Sequence, residues 1–163
     1  MNKSGLDLVF KPKSFMQTDK IAAGQGKSKE NKVQPLMFSY GKSEKSKRTL
    51  VEVADKTQWS QPISFEAVGS IMEVTMQVKD RKEEIHLGMN VELGKGKYAL
   101  TKVVTITPRF IIKNNLKEDL CFREALSNNF TQLEAGKHAP LGNLRQGQSK
   151  LLSLRMREVT SRW

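Results

Sequence analysis

The chain has 163 residues, a net charge of +11 and one cysteine, and at this size a single domain can bury about 70% of its unfolded surface. The single cysteine, Cys121, excludes an intrachain disulfide framework and fits a reducing compartment. No run approaches the roughly 18 apolar residues of a membrane-spanning helix, and residues 1–15 lack the apolar core of a secretory signal. The sequence therefore predicts a cytosolic, soluble protein.

The positive charge is concentrated near the start of the chain. Residues 1–48 carry 11 basic and 4 acidic side chains. The basic stretch 20–48 is rich in glycine, serine and lysine, a composition that is typical of a solvated loop. A binding site for anionic membrane surfaces, or for nucleic acid, is the alternative interpretation of this charge.

Apolar side chains recur at every second position, which is the period of a half-buried β-strand. The clearest examples are 71–78 and 85–92, and the short charged connection 79–83 predicts that they form a hairpin. In chain order, the predicted strands are 5–10, 34–40, 49–54, 62–68, 71–78, 85–92, 97–106, 109–113, 119–124, 130–134, 139–144 and 152–157.

Helical patterns are weak. Only 15–23 and 124–129 have any helical character, and neither carries an apolar stripe over several turns. Turn residues stand at 94–96, 113–115 and 134–136, between the predicted strands. The prediction is an all-β fold, an antiparallel β-sandwich of two layers.

The residues that usually carry catalysis are poorly placed for it. His86 and His138 have no cysteine or second histidine at metal-ligand spacing, and the apolar neighbours of Cys121 favour a buried thiol over a nucleophile. Residues 94–97, Gly-Lys-Gly-Lys, are too short for a phosphate-binding loop and precede a predicted strand, so we expect a hairpin turn. The sequence predicts no enzyme, no metal site and no cofactor.

Two residues stand out for structural reasons. Trp59 precedes the apolar strand 62–68, and we expect its indole to anchor one end of the sandwich while the indole N–H donates to a backbone carbonyl. Asn114 follows the predicted strand 109–113, where a side-chain amide can bond the backbone of a tight connection. From the residues alone, a local role in that turn is one interpretation of Asn114.

Four segments resemble the adaptor-binding region of the vacuolar protein sorting thirteen family, a region also described in plants as a SHORT-ROOT-binding domain. They are QPLMFSYG (34–41), TQWSQPISFEAVGS (57–70), EEIHLGMNVELGKGKYALTKVVTITPRFIIKNNLKEDLCFREA (83–125) and APLGNLRQGQSKLLSLRMRE (139–158). The resemblance covers nearly the whole chain apart from the basic insertion at 20–32.

This resemblance implies a region built from six related β-sandwich repeats within a long, bridge-like lipid transfer protein that acts at membrane contact sites. Residues 1–70, which include the basic loop 20–48, would then be the end of one repeat leading into the next. Residues 71–163 would be the main part of the following repeat.

The resemblance also implies partners and site residues. Family members carry an asparagine at a matching point of each repeat, and Asn114 is the one such residue that the sequence reveals, with Asn115 as its substitute if the register shifts by one. The implied partners are adaptor proteins with Pro-x-Pro motifs, not nucleic acid. We therefore expect a non-enzymatic module that recruits a lipid transfer protein, peripheral at organelle membranes.

Overall fold

The computed structural model describes residues 1–14, 18–21, 36–42, 45–124, 128, 130–142, 144–145 and 151–156. These residues form strands and one short 3-10 helix, Gly96–Tyr98, which confirms the all-β prediction. The strands are β1 (Leu8–Pro12), β2 (Asp19–Ile21), β3 (Arg48–Val53), β4 (Ile63–Ser64), β5 (Ile71–Gln77), β6 (Glu83–Leu93), β7 (Lys102–Pro108), β8 (Ile111–Lys113), β9 (Leu120–Glu124), β10 (Thr131–Leu133), β11 (His138–Pro140), β12 (Leu144–Arg145) and β13 (Leu152–Met156).

Two antiparallel sheets form the larger part of the fold. The first has the strand order β2-β1-β3-β4, and in the second β6 lies between β5 and β7. Side chains of both sheets pack into one core, so the two sheets form a sandwich. The buried members of this core are Leu8, Phe10, Val51, Val53, Val74, Met76, Val78, Ile85, Leu87, Met89 and Ile106.

Alternation along β5 and β6 builds one side of this core. In β5, Val74 and Met76 are buried, whereas Glu73 and Thr75 are exposed. The two strands pair antiparallel along their length, which confirms the predicted hairpin. Because successive side chains of a strand point to opposite faces, this pattern places one apolar face against β1 and β3.

A smaller group of strands follows β7. Strands β10, β9 and β13 form a three-stranded antiparallel sheet, and β8 pairs with β11. Leu120, Phe122 and Leu133 form a separate small core, against which Ile112 packs. The short strand β12 joins this group to the first sandwich by pairing with the start of β6.

Some predicted strands are shorter than expected or absent. Residues 36–40 form no strand, while 34–35 lie outside the described residues. The predicted strand 62–68 is reduced to β4, and the strand predicted at 97–106 begins only at Lys102, because the 3-10 helix comes before it. Phe38, Tyr40 and Phe65 pack as rings in these irregular segments, so their apolar character reflects ring packing rather than strand pairing.

The structure tests the two weak helical patterns only in part. The one at 15–23 is wrong at Asp19–Ile21, which forms β2 and pairs with β1. The pairing of β2 with β1 outweighs the weak local preference of these residues for a helix. Of the pattern at 124–129, Glu124 ends β9, while 125–127 and 129 lie outside the described residues.

The main core joins residues on both sides of position 70, from Leu8 in β1 to Ile106 in β7. The division of the chain into 1–70 and 71–163 stays a prediction. Across the described part of the chain, no helix has the length and the apolar character that a membrane crossing requires.

Candidate functional site

Asn114 lies directly after β8, where the chain turns toward β9. Its side chain is only 1% exposed. A buried amide must satisfy its hydrogen bonds inside the protein, because water cannot reach it. The position of Asn114 therefore sets the path of the loop that follows.

The amide of Asn114 connects three separate segments. Its Nδ2 donates to the backbone oxygens of Glu118 at 2.9 Å and Leu133 at 3.1 Å, while its Oδ1 accepts from the backbone N–H of Leu116 at 3.0 Å. The backbone of Asn114 also bonds Lys137, so the residue ties the β8–β9 loop to the end of β10 and to the turn before β11. Asn114 acts as a support for neighbouring segments, since its buried side chain offers no surface to a partner.

Asn115, the neighbouring candidate, is exposed. Among the residues that the structure describes, its side chain makes none of the contacts that Asn114 makes. The two asparagines therefore differ in environment although they are adjacent in sequence.

Asn2 makes the same contacts as Asn114, and the sequence analysis missed it. It is also 1% exposed. Its Nδ2 donates to the backbone oxygens of Leu6 at 2.6 Å and Ile21 at 3.4 Å, and its Oδ1 accepts from the backbone N–H of Ser4 at 3.0 Å. The partners stand 4, 19 and 2 positions after the asparagine, the same separations as for Asn114.

A sequence signal for this correspondence does exist. In both places the asparagine is followed five and six positions later by Asp-Leu, and two positions after that by phenylalanine, as NKSGLDLVF (2–10) and NNLKEDLCF (114–122). The leucine and the phenylalanine are buried on one face of the next strand, β1 or β9. An Asn-x4-Asp-Leu-x-Phe search would therefore have found Asn2 beside Asn114.

The segment around Trp59 completes the edge of β3. Strand β4 pairs only with Arg48 and Thr49, so the rest of that edge needs other partners. Ser60 supplies one of them, since its Oγ accepts from the backbone N–H of Val51 at 3.1 Å. Thr57 does the same for Val53 at 2.9 Å.

Trp59 itself is half-buried between these two residues. The ammonium of Lys11 lies 4.2 Å from the centre of its ring, a cation–π contact. Within the described residues, the indole N–H has no hydrogen-bond acceptor, so the carbonyl contact expected from the sequence does not form there. The role of Trp59 as an anchor stays a prediction.

His86 lies on the outer face of β6 but is buried. Its Nδ1 is 2.5 Å from Glu73 Oε1 and its Nε2 is 3.1 Å from Glu84 Oε2. Phe110 covers the imidazole, with ring centres 6.0 Å apart. This arrangement bonds β5 to β6 across the hairpin, and the described residues contain no group of three or more side chains suited to a metal ion.

An apolar cavity of about 790 Å³ opens where the two sheets separate. We call it the aromatic cavity, because aromatic rings form much of its wall. Its lining includes Phe10, Ile21, Phe38, Tyr40, Phe65 and Tyr98. The volume is within the range of 300–1,000 Å³ that is usual for ligand sites.

Hydrogen bonds and ring contacts hold the irregular segment 36–40 against the sandwich. Phe38 packs edge-on against Tyr40 and Phe65, with ring centres 5.2 and 6.2 Å apart. The Tyr40 hydroxyl lies 2.8 Å from Thr49 Oγ1 in β3. One wall of the aromatic cavity is therefore fixed by specific contacts.

A charged cluster stands at the rim of the aromatic cavity. Glu66 lies 3.3 Å from the ammonium of Lys102 and 3.6 Å from that of Lys47. The hydrogen bond from Lys102 holds the pKa of the Glu66 carboxyl below its ordinary value. These side chains are exposed, so their ion pairs contribute little to the stability of the fold.

Comparison with known proteins points to one family. A family profile described as "Vacuolar-sorting associated protein 13, adaptor binding domain" matches residues 1–163. An intermembrane lipid transfer protein VPS13 of Chaetomium thermophilum is 42% identical over 168 aligned residues, which cover 100% of this chain.

Two animal proteins are similar over shorter stretches. Intermembrane lipid transfer protein Vps13D of Drosophila melanogaster is 31% identical over 70% of this chain, and VPS13D of Homo sapiens is 27% identical over 76%. The chain spans 5% of the length of the Chaetomium thermophilum protein and 3% of each animal protein.

Proposed function

This chain belongs to the family of the vacuolar-sorting associated protein 13 adaptor-binding domain, and we propose that it recruits a lipid transfer protein to organelle membranes by binding adaptor proteins. It does so as a non-enzymatic module. Its ligands are adaptor segments with a Pro-x-Pro motif, and its place is peripheral, at organelle membranes and membrane contact sites. The match of the adaptor-binding profile to the full chain is the observation that carries this proposal.

The aromatic cavity supports a proline-containing ligand. A Pro-x-Pro segment is already extended, so it loses little conformational entropy when it binds. Grooves lined by aromatic rings are a recurrent binding mode for such segments, because flat rings pack well against the proline ring. Phe38, Tyr40, Phe65 and Tyr98 provide rings of this kind.

Asn2 supports the cavity from inside. Its amide holds the backbone oxygen of Ile21, and both Ile21 and the neighbouring Met1 line the aromatic cavity. Asn2 is therefore a positioning residue, which shapes the binding surface without touching the ligand. Asn114 holds Leu133 in the same way, so the proposal assigns it the same task in the strands that follow β7.

The repeated geometry also supports two related repeats in this chain. The side-chain amides of Asn2 and Asn114 have partners at the same sequence separations, and β1-β2 and β9-β10 follow them at matching distances. A family of adaptor-binding repeats is expected to reuse one supporting asparagine in this manner.

Isothermal titration with a short Pro-x-Pro peptide tests the proposed function. We expect micromolar affinity, roughly −7 to −8 kcal/mol, as is typical of short linear motifs. The control peptide carries alanine at both proline positions and should bind at least about tenfold more weakly, since it loses ring packing and preorganisation. Equal affinity for both peptides, or no heat with either, would contradict the proposed specificity.

A further inference from the structure

The connection between β6 and β7 presents apolar side chains to water at one end of the sandwich. We call residues 93–101 the tip. Leu100 is fully exposed and Leu93 is 62% exposed. Leu100 contributes almost no burial to folding, so its side chain is available to a partner outside the fold.

The tip holds a defined shape. The backbone N–H of Gly94 donates to Thr101 O at 2.8 Å, and that of Thr101 donates to Tyr98 O at 2.9 Å. Gly94 lies so close to Tyr98 that a Cβ at position 94 would come within 1.9 Å of the Tyr98 carbonyl oxygen. These contacts fix the backbone of the loop, and in that conformation the side chain of Leu100 is exposed.

Positive charge surrounds these apolar side chains. Residues 93–102 contain three lysines and no carboxylate. Lys102 is paired with Glu66. Lys95 and Lys97 form no ion pair with any residue that the structure describes, and the Lys97 ammonium lies 5.1 Å from the centre of the Tyr98 ring. The tip therefore combines two available ammonium groups with an exposed leucine between them and β7.

The tip lies at one end of the sandwich, where three of its residues, Lys97, Tyr98 and Thr101, also line the aromatic cavity. It follows the last residue of β6, whereas the β5–β6 hairpin and the pairing with β12 lie at the first residues of that strand. Strand β6 has 11 residues, so its two ends lie about 33–37 Å apart. Leu93, Lys95 and Leu100 do not line the aromatic cavity, so a peptide bound there would leave them in water, whereas a flat lipid surface can cover them.

We propose that the tip docks this chain on an anionic lipid bilayer, with Leu100 inserted at the interface and Lys95 and Lys97 among the headgroup phosphates. Basic side chains near an anionic leaflet attract it, and an apolar side chain gains by leaving water at the same surface. Nucleic acid would use the lysines but would leave Leu100 exposed. This contact borders the aromatic cavity, which Lys97 lines and which Leu93, Lys95 and Leu100 do not.

Vesicle sedimentation of the full chain tests this inference. The probes are vesicles of phosphatidylcholine alone and vesicles that also contain phosphatidylserine, each at low and at physiological ionic strength. The tip variants are Leu100→Gln and the double variant Lys95→Gln/Lys97→Gln. The matched controls are Leu116→Gln, an exposed leucine beside a lysine elsewhere, and Lys79→Gln/Lys82→Gln, which removes equal charge at the opposite end of β6.

We expect binding to phosphatidylserine vesicles that weakens with salt. The double lysine variant should bind about 30-fold more weakly and Leu100→Gln about tenfold. Both controls should bind within about twofold of the wild type, and all variants should keep its melting temperature, as exposed substitutions usually do.

Three results would overturn the inference. One is no binding to phosphatidylserine vesicles at low salt, and another is equal binding to phosphatidylcholine alone. The third is an equal loss in the control and the tip variants, which would mean that overall charge, and not the tip, holds the chain on the surface. Peptide affinity of Leu100→Gln is measured in parallel, because Leu100 does not line the aromatic cavity and retained affinity separates this contact from adaptor binding.

Discussion

At the residue scale, Asn2 and Asn114 carry the greatest weight, because each buried amide satisfies three backbone groups at once. A buried hydrogen bond contributes about 0.5–1.5 kcal/mol, and a buried polar group left without a partner costs about 1–3 kcal/mol. Neither side chain has surface to offer a ligand. Their effect on binding therefore passes through the backbone segments that they hold.

Replacement of Asn114 by alanine should lower the free energy of unfolding by about 2–4 kcal/mol, because the carbonyls of Glu118 and Leu133 lose their donor. Asn2→Ala should act similarly through Leu6 and Ile21. Urea unfolding followed by circular dichroism measures both changes.

Asn115→Ala is the matched control for these variants, since that asparagine is exposed and adjacent. We expect a change within about 0.5 kcal/mol. Peptide titration of the same variants should give weaker binding for Asn2→Ala than for Asn115→Ala. If Asn114→Ala and Asn115→Ala proved equally stable, the supporting role of Asn114 would be refuted.

At the scale of elements, the sequence predicts strands well where one face is buried and poorly where chain contacts are irregular. Strands β5 and β6 were recognisable because Val74 and Met76, like Leu87 and Met89, point to the same core. The segment 36–40 was misjudged because ring packing and strand pairing select the same apolar residues.

The burial of His86 was also not visible in the pattern. In the alternating pattern of β6, His86 stands at a position that predicts exposure. Phe110 and two carboxylates nevertheless cover it. Asn2 was missed for a related reason: its partner Ile21 lies 19 positions away, and such contacts leave no local period. The candidate site could thus be predicted at Asn114 by resemblance and at Asn2 by the shared Asn-x4-Asp-Leu-x-Phe pattern, but not at the aromatic cavity.

The β6–β7 connection permits a direct test of the loop geometry. Gly94→Ala places a methyl group against the Tyr98 carbonyl, and we expect a loss of about 1–3 kcal/mol from this overpacking. Gly142→Ala is the control, because its added Cβ meets nothing within 4 Å. Thermal melting compares the two, and an unchanged melting temperature for Gly94→Ala would contradict the tight turn.

At the scale of the whole molecule, one sandwich core holds the first seven strands, and a smaller core lies in the strands that follow. Leu87 is at the centre of the larger core and only 2% exposed. Leu87→Ala should therefore cost about 2–5 kcal/mol through lost burial and the cavity it leaves.

Leu100→Ala provides the contrast, because that leucine is fully exposed. Its free energy of unfolding should stay within about 0.5 kcal/mol of the wild type. Chemical denaturation distinguishes the two variants. A large loss with Leu100→Ala would mean that the tip packs against the fold, which would contradict its assignment as an outward surface.

Hydrogen–deuterium exchange with a saturating Pro-x-Pro peptide tests the central claim most directly, since it reports both adaptor-type binding and its place. The prediction is slower exchange around the aromatic cavity, in β2, in segment 36–40 and in Lys102–Ile106 of β7, with no change in the β5–β6 hairpin. Unchanged exchange around the cavity while the peptide is bound, or protection confined to that hairpin, would contradict the claim.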